Sequence, residues 1–184
     1  MDLFFLNREG KVVVLYFAYG SNMLAERLRE RCPSATFKTV AYAYGWAFSF
    51  AKKSKDGSGK ATLSAKNGER TYGVVYELDP SELGKLDKFE GRGKGYKRDD
   101  HFIVHNQNNT KIKVITYLAE PESCDPECSP YDWYWRLCLA GAERNNLPPL
   151  QIERIRQNGY IEDPELDRKP RKDALKILEE IDDV

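Results

Sequence analysis

The sequence lacks an excess of charge of either sign and any long hydrophobic run. Its 184 residues carry 29 basic and 29 acidic side chains, for a net charge of zero. A nucleic-acid backbone is held by an excess of positive charge, so we expect no nucleic-acid partner. The longest apolar run, residues 12–19, is too short to cross a bilayer, so we expect no membrane partner. Residues 1–10 do not resemble a signal peptide, and a cytoplasmic location is expected.

Cysteine and histidine are scarce, with four and two residues. Cys124 and Cys128 have no second close cysteine pair, and His101 and His105 lie far from them on a predicted strand. This spacing does not match the usual zinc-binding patterns, so we expect two free thiols on a loop and no metal site. The two histidines share one face of their strand, which we expect to be solvent-exposed. The sequence also lacks the phosphate-binding loop, the dinucleotide-binding glycine motif and the nucleophile elbow.

The order of the predicted elements indicates an α+β fold. Strands are predicted over 12–18, 35–40, 46–51, 61–65, 72–78, 96–105 and 111–118, and helices over 23–31, 79–90, 132–145 and 149–158. Asn67-Gly68 is predicted as a hairpin turn. Successive hairpins favour an antiparallel sheet, and closing that sheet removes its exposed edges. We therefore predict a small, mostly antiparallel, barrel-like sheet flanked by helices. It forms a single domain over residues 1–160, followed by a charged tail with a short helix over 161–184.

The turn between the first predicted strand and helix has the features of an anion site. It consists of Tyr19, Gly20, Ser21 and Asn22. Gly20 permits backbone angles that are closed to other residues, and Ser21 or Asn22 is expected to cap the helix. A helix N-terminus presents free N–H groups and a positive dipole end, which suit a carboxylate or an oxyanion. From this pattern alone, a plain strand-to-helix turn remains an alternative.

Glu90 is the second candidate site residue. It ends a predicted helix beside Gly91, in a run that also contains Gly93 and Gly95. A negative side chain at a helix C-terminus meets the unfavourable end of the dipole, so a functional reason for its position is plausible. A solvated glutamate is the other interpretation.

Three motifs in order make the chain resemble the γ-glutamylcyclotransferase family. Residues 16–23, Tyr-Phe-Ala-Tyr-Gly-Ser-Asn-Met, resemble its signature strand and loop. Residues 86–91, Leu-Asp-Lys-Phe-Glu-Gly, resemble the segment that ends in its catalytic Glu-Gly. Residues 129–148 resemble its third block, with a Ser-Pro start, a tyrosine and a Gly-Ala…Leu-Pro ending. The blocks are more similar to the glutathione-pathway type than to the γ-glutamylamine type.

The resemblance implies a barrel-like α+β fold, a small-molecule γ-glutamyl substrate and no cofactor. It implies that the loop of residues 19–22 holds the γ-glutamyl group and that Glu90 is the catalytic acid and base. By its spacing to the Gly-Ala pair, Tyr134 matches the pocket tyrosine of the family, and Tyr131 is the second candidate. In the implied reaction the α-amine of the substrate attacks its own γ-carbonyl, which forms 5-oxoproline and releases an amine.

Two alternatives remain open. One is a cyclotransferase for γ-glutamylamines or for an acyl-protected biosynthetic intermediate. The other is a γ-glutamyl-binding module without activity, although a pure binder of an anion gains nothing from the charge of Glu90. Residues 91–95 are richer in glycine and positive charge than the resemblance leads us to expect, and the loop of Cys124 and Cys128 is particular to this chain. The leaving group and the oligomeric state therefore stay open, with a homodimer as one option.

Overall fold

The computed structural model describes residues 4–182. Residues 1–3 and 183–184, which belong to the N-terminal segment and to the predicted tail, lie outside the described residues. In chain order the elements are β1 (Phe4–Leu6), β2 (Val12–Ala18), α1 (Ala25–Arg31), β3 (Thr36–Lys53), β4 (Gly59–Leu78), α2 (Leu83–Glu90), β5 (Tyr96–Asn106), β6 (Lys111–Ala119), α3 (Asp132–Arg144), α4 (Pro149–Asn158) and α5 (Lys169–Asp182).

The strands form one sheet in the order β1-β2-β4-β3-β5-β6, and a pairing between β2 and β6 closes it. That closing pair is parallel, whereas the other described pairs are antiparallel. The predicted α+β fold with a mostly antiparallel, barrel-like sheet is thereby confirmed. β2 has six buried residues out of seven, as its uninterrupted apolar sequence predicts for a strand covered on both faces. Its end delivers the loop of residues 19–22.

The hairpin predicted at Asn67-Gly68 is wrong. The four short strands predicted between residues 35 and 78 are parts of only two long strands, β3 and β4, which pair with each other. Asn67 and Gly68 lie inside β4, where the pairing with β3 shifts its register opposite Gly45. Gly45 and Gly68 both have a φ of 81°, so an irregularity of the ladder takes the place of a turn. The connection between β3 and β4 is the turn of residues 54–58.

The helix cap predicted at Ser21 or Asn22 is also wrong. Ser21–Met23 form a separate 3₁₀ turn, and α1 begins two residues later with Leu24 at its N-cap position. Neither the 3₁₀ turn nor α1 has a side-chain cap. The polar side chains of the loop are instead used for long-range hydrogen bonds at the cavity described below.

The second predicted helix, over residues 79–90, consists of a 3₁₀ turn, Pro80–Glu82, followed by α2. The side chain of Asp79 accepts a hydrogen bond from the N–H of Ser81, and a 3₁₀ turn leads into α2. Gly91 closes α2 in the left-handed conformation, with a φ of 68°, as expected of a C-terminal glycine cap. Glu90 is therefore the last residue of α2.

The C-terminal helix α5 packs against α3 and α1. Its apolar stripe is buried at Ala174, Leu178 and Ile181, in keeping with an amphipathic helix that docks on the body. The domain boundary at residue 160 stays a prediction. None of the helices within residues 4–182 is long and apolar enough to cross a membrane.

Candidate active site

A cavity of about 480 Å³ lies where the 19–22 loop leaves β2. Its walls come from this loop, the end of α2, the turn between β3 and β4, and the start of α3. The predicted site residues all line it: Tyr19, Gly20, Ser21, Asn22, Glu90 and Tyr134. Tyr131 is not among the lining residues; its hydroxyl donates to the carbonyl of Asp56 at 2.9 Å instead.

Gly20 is required by close packing and not by its backbone angles. Its φ is −115°, which other residues also adopt, so the conformational reason expected from the sequence is wrong. A Cβ atom on Gly20 would lie 2.9 Å from the Cβ of Ala61 and 3.3 Å from the hydroxyl of Tyr134. The N–H of Ala61 donates to that hydroxyl at 3.2 Å. The glycine thus lets the loop, β4 and α3 meet at one point.

The third sequence motif holds the loop in place. A Cβ atom on Gly141 of α3 would lie 2.7 Å from the backbone nitrogen of Leu24, so only glycine lets the helix approach this closely. The carbonyl of Met23 accepts hydrogen bonds from the side chains of Asn145 at 2.9 Å and Tyr76 at 2.6 Å. The loop is therefore fixed to α3 and to the sheet by its own backbone.

The 3₁₀ turn of Ser21–Met23 begins at the cavity, which Gly20, Ser21 and Asn22 all line. The 3₁₀ turn is closed by hydrogen bonds that Met23 and Leu24 donate to the carbonyls of Gly20 and Ser21. The first N–H groups of a helical turn have no partner within it. The N–H groups of Ser21 and Asn22 are thus suited to bind an anion, as the sequence predicts.

Glu90 joins this loop through a hydrogen-bonded network. Its Oε1 accepts from the side-chain nitrogen of Asn22 at 2.7 Å and from Nη1 of Arg31 at 3.0 Å. Arg31 also donates to the Asn22 oxygen at 2.9 Å, and Asn22 donates to the Tyr16 hydroxyl at 3.0 Å. Within residues 4–182, Oε2 of Glu90 accepts no hydrogen bond from the protein. The side chain is 17% exposed and lines the cavity.

The hydroxyl groups of the tyrosines around the cavity stay protonated. Burial raises the pKa of Tyr16 and Tyr96 well above the ordinary value, and the charge of Glu90 raises both further. Burial likewise raises the pKa of Tyr19 and Tyr134. None of these four hydroxyls is deprotonated near neutral pH, so they can donate hydrogen bonds but cannot serve as a base.

Three buried or nearly buried cations at the cavity were not singled out from the sequence as site residues. Arg27 donates through Nε to the hydroxyl of Ser21 at 3.2 Å, and burial lowers its pKa to about 10. Arg31 pairs with Glu90, and Lys60 lies in the cavity wall beside α3. The available signal was weak: Arg27 and Arg31 are four apart on a predicted helix and so share a face, whereas nothing local marks Lys60.

The histidines and the two loop cysteines lie outside this site. Neither His101 nor His105 lines the cavity, and His105 stacks on Tyr42 with ring centroids 5.3 Å apart. Cys124 and Cys128 are free thiols. In the described part of the chain, no group of three or more cysteine, histidine or acidic side chains is arranged to hold a metal.

Comparisons of the sequence and of the fold relate this chain to known proteins. The profile of the family described as "Gamma-glutamyl cyclotransferase, AIG2-like" matches residues 16–136. Gamma-glutamylcyclotransferase of Bos taurus is 34% identical over 176 residues, which cover 92% of this chain and 86% of the relative. The Homo sapiens protein of the same name is 32% identical with the same coverage. A solved gamma-glutamyl cyclotransferase structure matches with a TM-score of 0.80 and 29% identity, over 89% of this chain and 98% of the other.

The chain therefore belongs to the gamma-glutamyl cyclotransferase, AIG2-like family. The resemblance drawn from its three motifs is confirmed.

Proposed function

We propose that the protein is a γ-glutamylcyclotransferase that converts γ-glutamyl amino acids and peptides to 5-oxoproline and a free amine. The observation that carries this proposal is the 2.7 Å hydrogen bond between Asn22 and Glu90. It holds a carboxylate against an anion-binding turn within a single cavity. The names of the bovine and human relatives support the same activity.

The loop and Glu90 fit the two charged ends of a γ-glutamyl group. The α-carboxylate of the substrate binds the N–H groups of Ser21 and Asn22 at the positive end of the turn. The α-ammonium then lies against Oε2 of Glu90, the oxygen left without a protein partner. Arg31 and Asn22 occupy Oε1 and so fix the direction in which the free oxygen points. Tyr134 closes the wall beside Gly20.

In the proposed reaction Glu90 moves protons from one nitrogen of the substrate to another. It takes a proton from the α-ammonium, and the amine attacks the γ-carbonyl carbon, which closes a five-membered ring through a tetrahedral intermediate. Glu90 passes this proton to the nitrogen of the leaving amine as its bond to the γ-carbon breaks. It then takes the second proton that the ring nitrogen must lose to become the lactam N–H of 5-oxoproline, and it releases that proton to solvent, which regenerates the carboxylate. Because nucleophile and electrophile belong to one molecule, orientation alone supplies effective molarities of about 10⁵ M or more.

A place in glutathione-related metabolism and a cytoplasmic location belong to the same proposal. The motif blocks are more similar to the glutathione-pathway type of the family. The four cysteines of the chain are all free thiols, which suits a reducing compartment.

A substrate panel tests the proposal. Purified protein is incubated with γ-glutamyl dipeptides, glutathione and γ-glutamyl-ε-lysine, and 5-oxoproline is measured by mass spectrometry. We expect product from γ-glutamyl dipeptides. Product from γ-glutamyl-ε-lysine alone would instead identify a γ-glutamylamine cyclotransferase. Binding by calorimetry without product from any compound would identify a binding module and refute the proposed activity.

A further inference from the structure

Lys60 places an ammonium group in the cavity wall with only a weak ion pair. Its Nζ lies 4.6 Å from the ring centroids of both Trp133 and Tyr134 and donates to the hydroxyl of Ser58 at 2.7 Å. The carboxylate nearest to it, that of Asp56, is 3.5 Å away. The Lys60 side chain is only 15% exposed. A buried cation normally requires a close anionic partner, and the protein supplies only a distant one.

Asp56 divides its two oxygens between Lys60 and Ser58, with Oδ2 at 3.5 Å from the Lys60 Nζ. Its Oδ1 accepts hydrogen bonds from the backbone N–H of Ser58 at 3.0 Å and from the Ser58 hydroxyl at 2.7 Å. An ammonium group has three donors, and Ser58 and Asp56 account for two of those on Lys60. The third finds no acceptor among residues 4–182. The aromatic rings offset part of the cost of burying the charge. Lys60 also lines the cavity that contains the candidate site residues.

The whole cavity is more positive than its proposed γ-glutamyl ligand requires. Seven of its lining residues are lysine or arginine and two are aspartate or glutamate, although the chain as a whole has no net charge. A γ-glutamyl group brings a single carboxylate, together with an ammonium. Three of the seven cations, Lys55, Lys88 and Lys94, are exposed to solvent, and Arg31 is paired with Glu90. For the remaining positive charge, a substrate with a further carboxylate on its leaving amine is a better match than one without.

Lys60 and Glu90 border different ends of the loop. Lys60 lies over the ring of Tyr134, whose hydroxyl is 3.3 Å from the position of a Cβ atom on Gly20, whereas Glu90 bonds to Asn22. The turn between these ends provides the N–H groups assigned to the α-carboxylate. Lys60 is thus free to contact a second carboxylate of the same substrate.

We propose that Lys60 binds a carboxylate of the leaving amine, and that this contact makes the enzyme prefer γ-glutamyl amino acids to γ-glutamylamines. The inference rests on the proposed function. It assigns Lys60 as a specificity residue that takes no part in proton transfer.

Two substrates that differ by one carboxylate provide the test: γ-glutamyl-alanine and γ-glutamyl-ethylamide. A hydrogen bond between charged groups contributes enough to favour γ-glutamyl-alanine by about tenfold to a hundredfold in kcat/KM. In Lys60→Met this ratio is expected to fall close to one, through a higher KM for γ-glutamyl-alanine and little change for γ-glutamyl-ethylamide. Lys60→Arg should restore part of the ratio. Lys97→Met, which removes an exposed lysine outside the cavity, should leave it unchanged.

A wild-type ratio near one would overturn the inference, and this result does not depend on how any variant folds. An equal loss for both substrates in Lys60→Met would also overturn it, because that pattern indicates a structural role or a contact to the α-carboxylate. If neither substrate gives 5-oxoproline, the proposed function fails, but calorimetry with the same two ligands still tests Lys60. Tighter binding of γ-glutamyl-alanine that is lost in Lys60→Met supports the contact, and equal binding of both ligands refutes it.

Discussion

Replacing Lys60 by methionine should make the protein more stable at neutral pH. Burial lowers the pKa of Lys60 from 10.5 to about 8, although Asp56 acts in the opposite direction. A depression of this size corresponds to about 3 kcal/mol of preference for the uncharged form in the folded state. Methionine has a similar length and no charge, so this cost disappears in Lys60→Met.

Part of this gain in stability is offset because Lys60→Met also loses the favourable contacts of the ammonium group. Its stacking over the rings of Trp133 and Tyr134 contributes about 1–2 kcal/mol. The free energy of unfolding of Lys60→Met should therefore exceed that of the wild type by about 1–2 kcal/mol at pH 7. For a chain of this length, such a change raises Tm by several degrees.

The stability difference between the wild type and Lys60→Met depends on pH in a direction that the lowered pKa of Lys60 determines. Between pH 8 and 10.5 the unfolded chain binds more protons at Lys60 than the folded chain does, so wild-type stability gains from this residue as the pH rises. The variant lacks this gain. The difference in stability between the two proteins should be full below pH 8 and should shrink towards pH 10.5.

Urea denaturation followed by far-UV circular dichroism at pH 7 and at pH 9.5 measures both effects. Lys97→Met serves as the control for loss of one exposed positive charge. If Lys60→Met were less stable than the wild type at pH 7, or if the difference were the same at both pH values, the reasoning about the buried charge would be wrong. A variant that is more stable and yet poorer with γ-glutamyl-alanine would show that Lys60 is kept for substrate binding.

Two further changes test the supports of the site. Gly141→Ala places a Cβ atom 2.7 Å from the nitrogen of Leu24, so urea denaturation should show a loss of about 1–3 kcal/mol, together with slower product formation as the loop moves. Asp163→Asn replaces a buried carboxylate by a neutral amide. The carboxylate accepts hydrogen bonds from Trp133 at 2.9 Å and Arg168 at 2.8 Å, so the free energy of unfolding should fall by about 1–3 kcal/mol at pH 7. Burial raises the pKa of Asp163, but these hydrogen bonds outweigh it and lower the pKa. The difference in unfolding free energy between the wild type and Asp163→Asn should therefore shrink as the pH falls through this lowered pKa. A difference that stays the same in acid would contradict the conclusion that Asp163 stabilises the fold as a charged carboxylate.

Local sequence signals predict the parts of the site that depend on local chain geometry. The loop of residues 19–22 directly follows a buried strand, and Glu90 directly precedes the glycine that ends α2. The place of the loop follows from the apolar strand before it and the place of Glu90 from the glycine after it, whereas their roles were predicted from the resemblance of the three motifs to a known family. The role expected of Gly20 failed because its constraint comes from Ala61 and Tyr134, which are distant in sequence.

The features that the sequence did not predict depend on contacts between residues far apart in the chain. The irregularity at Gly68 has the local sequence of a turn, and only the pairing of β4 with β3 on both sides of it makes it part of a strand. Arg31 looks like an ordinary basic residue in the last turn of a helix, which the dipole favours. Its ion pair with Glu90 arises because the fold brings α1 and the end of α2 together. Lys60 acquires its aromatic surroundings in the same way, from α3.

The most direct test of the central claim is the turnover of Glu90→Gln on γ-glutamyl-alanine. Glutamine keeps the shape of the side chain and removes its ability to accept and return a proton. We expect kcat to fall by about 10²–10⁴-fold, while calorimetry shows that the substrate still binds. Glu179→Gln, an exposed position on α5, should retain full activity. A Glu90→Gln variant that forms 5-oxoproline at close to the wild-type rate would contradict the account, because the proton transfer would then belong to another group.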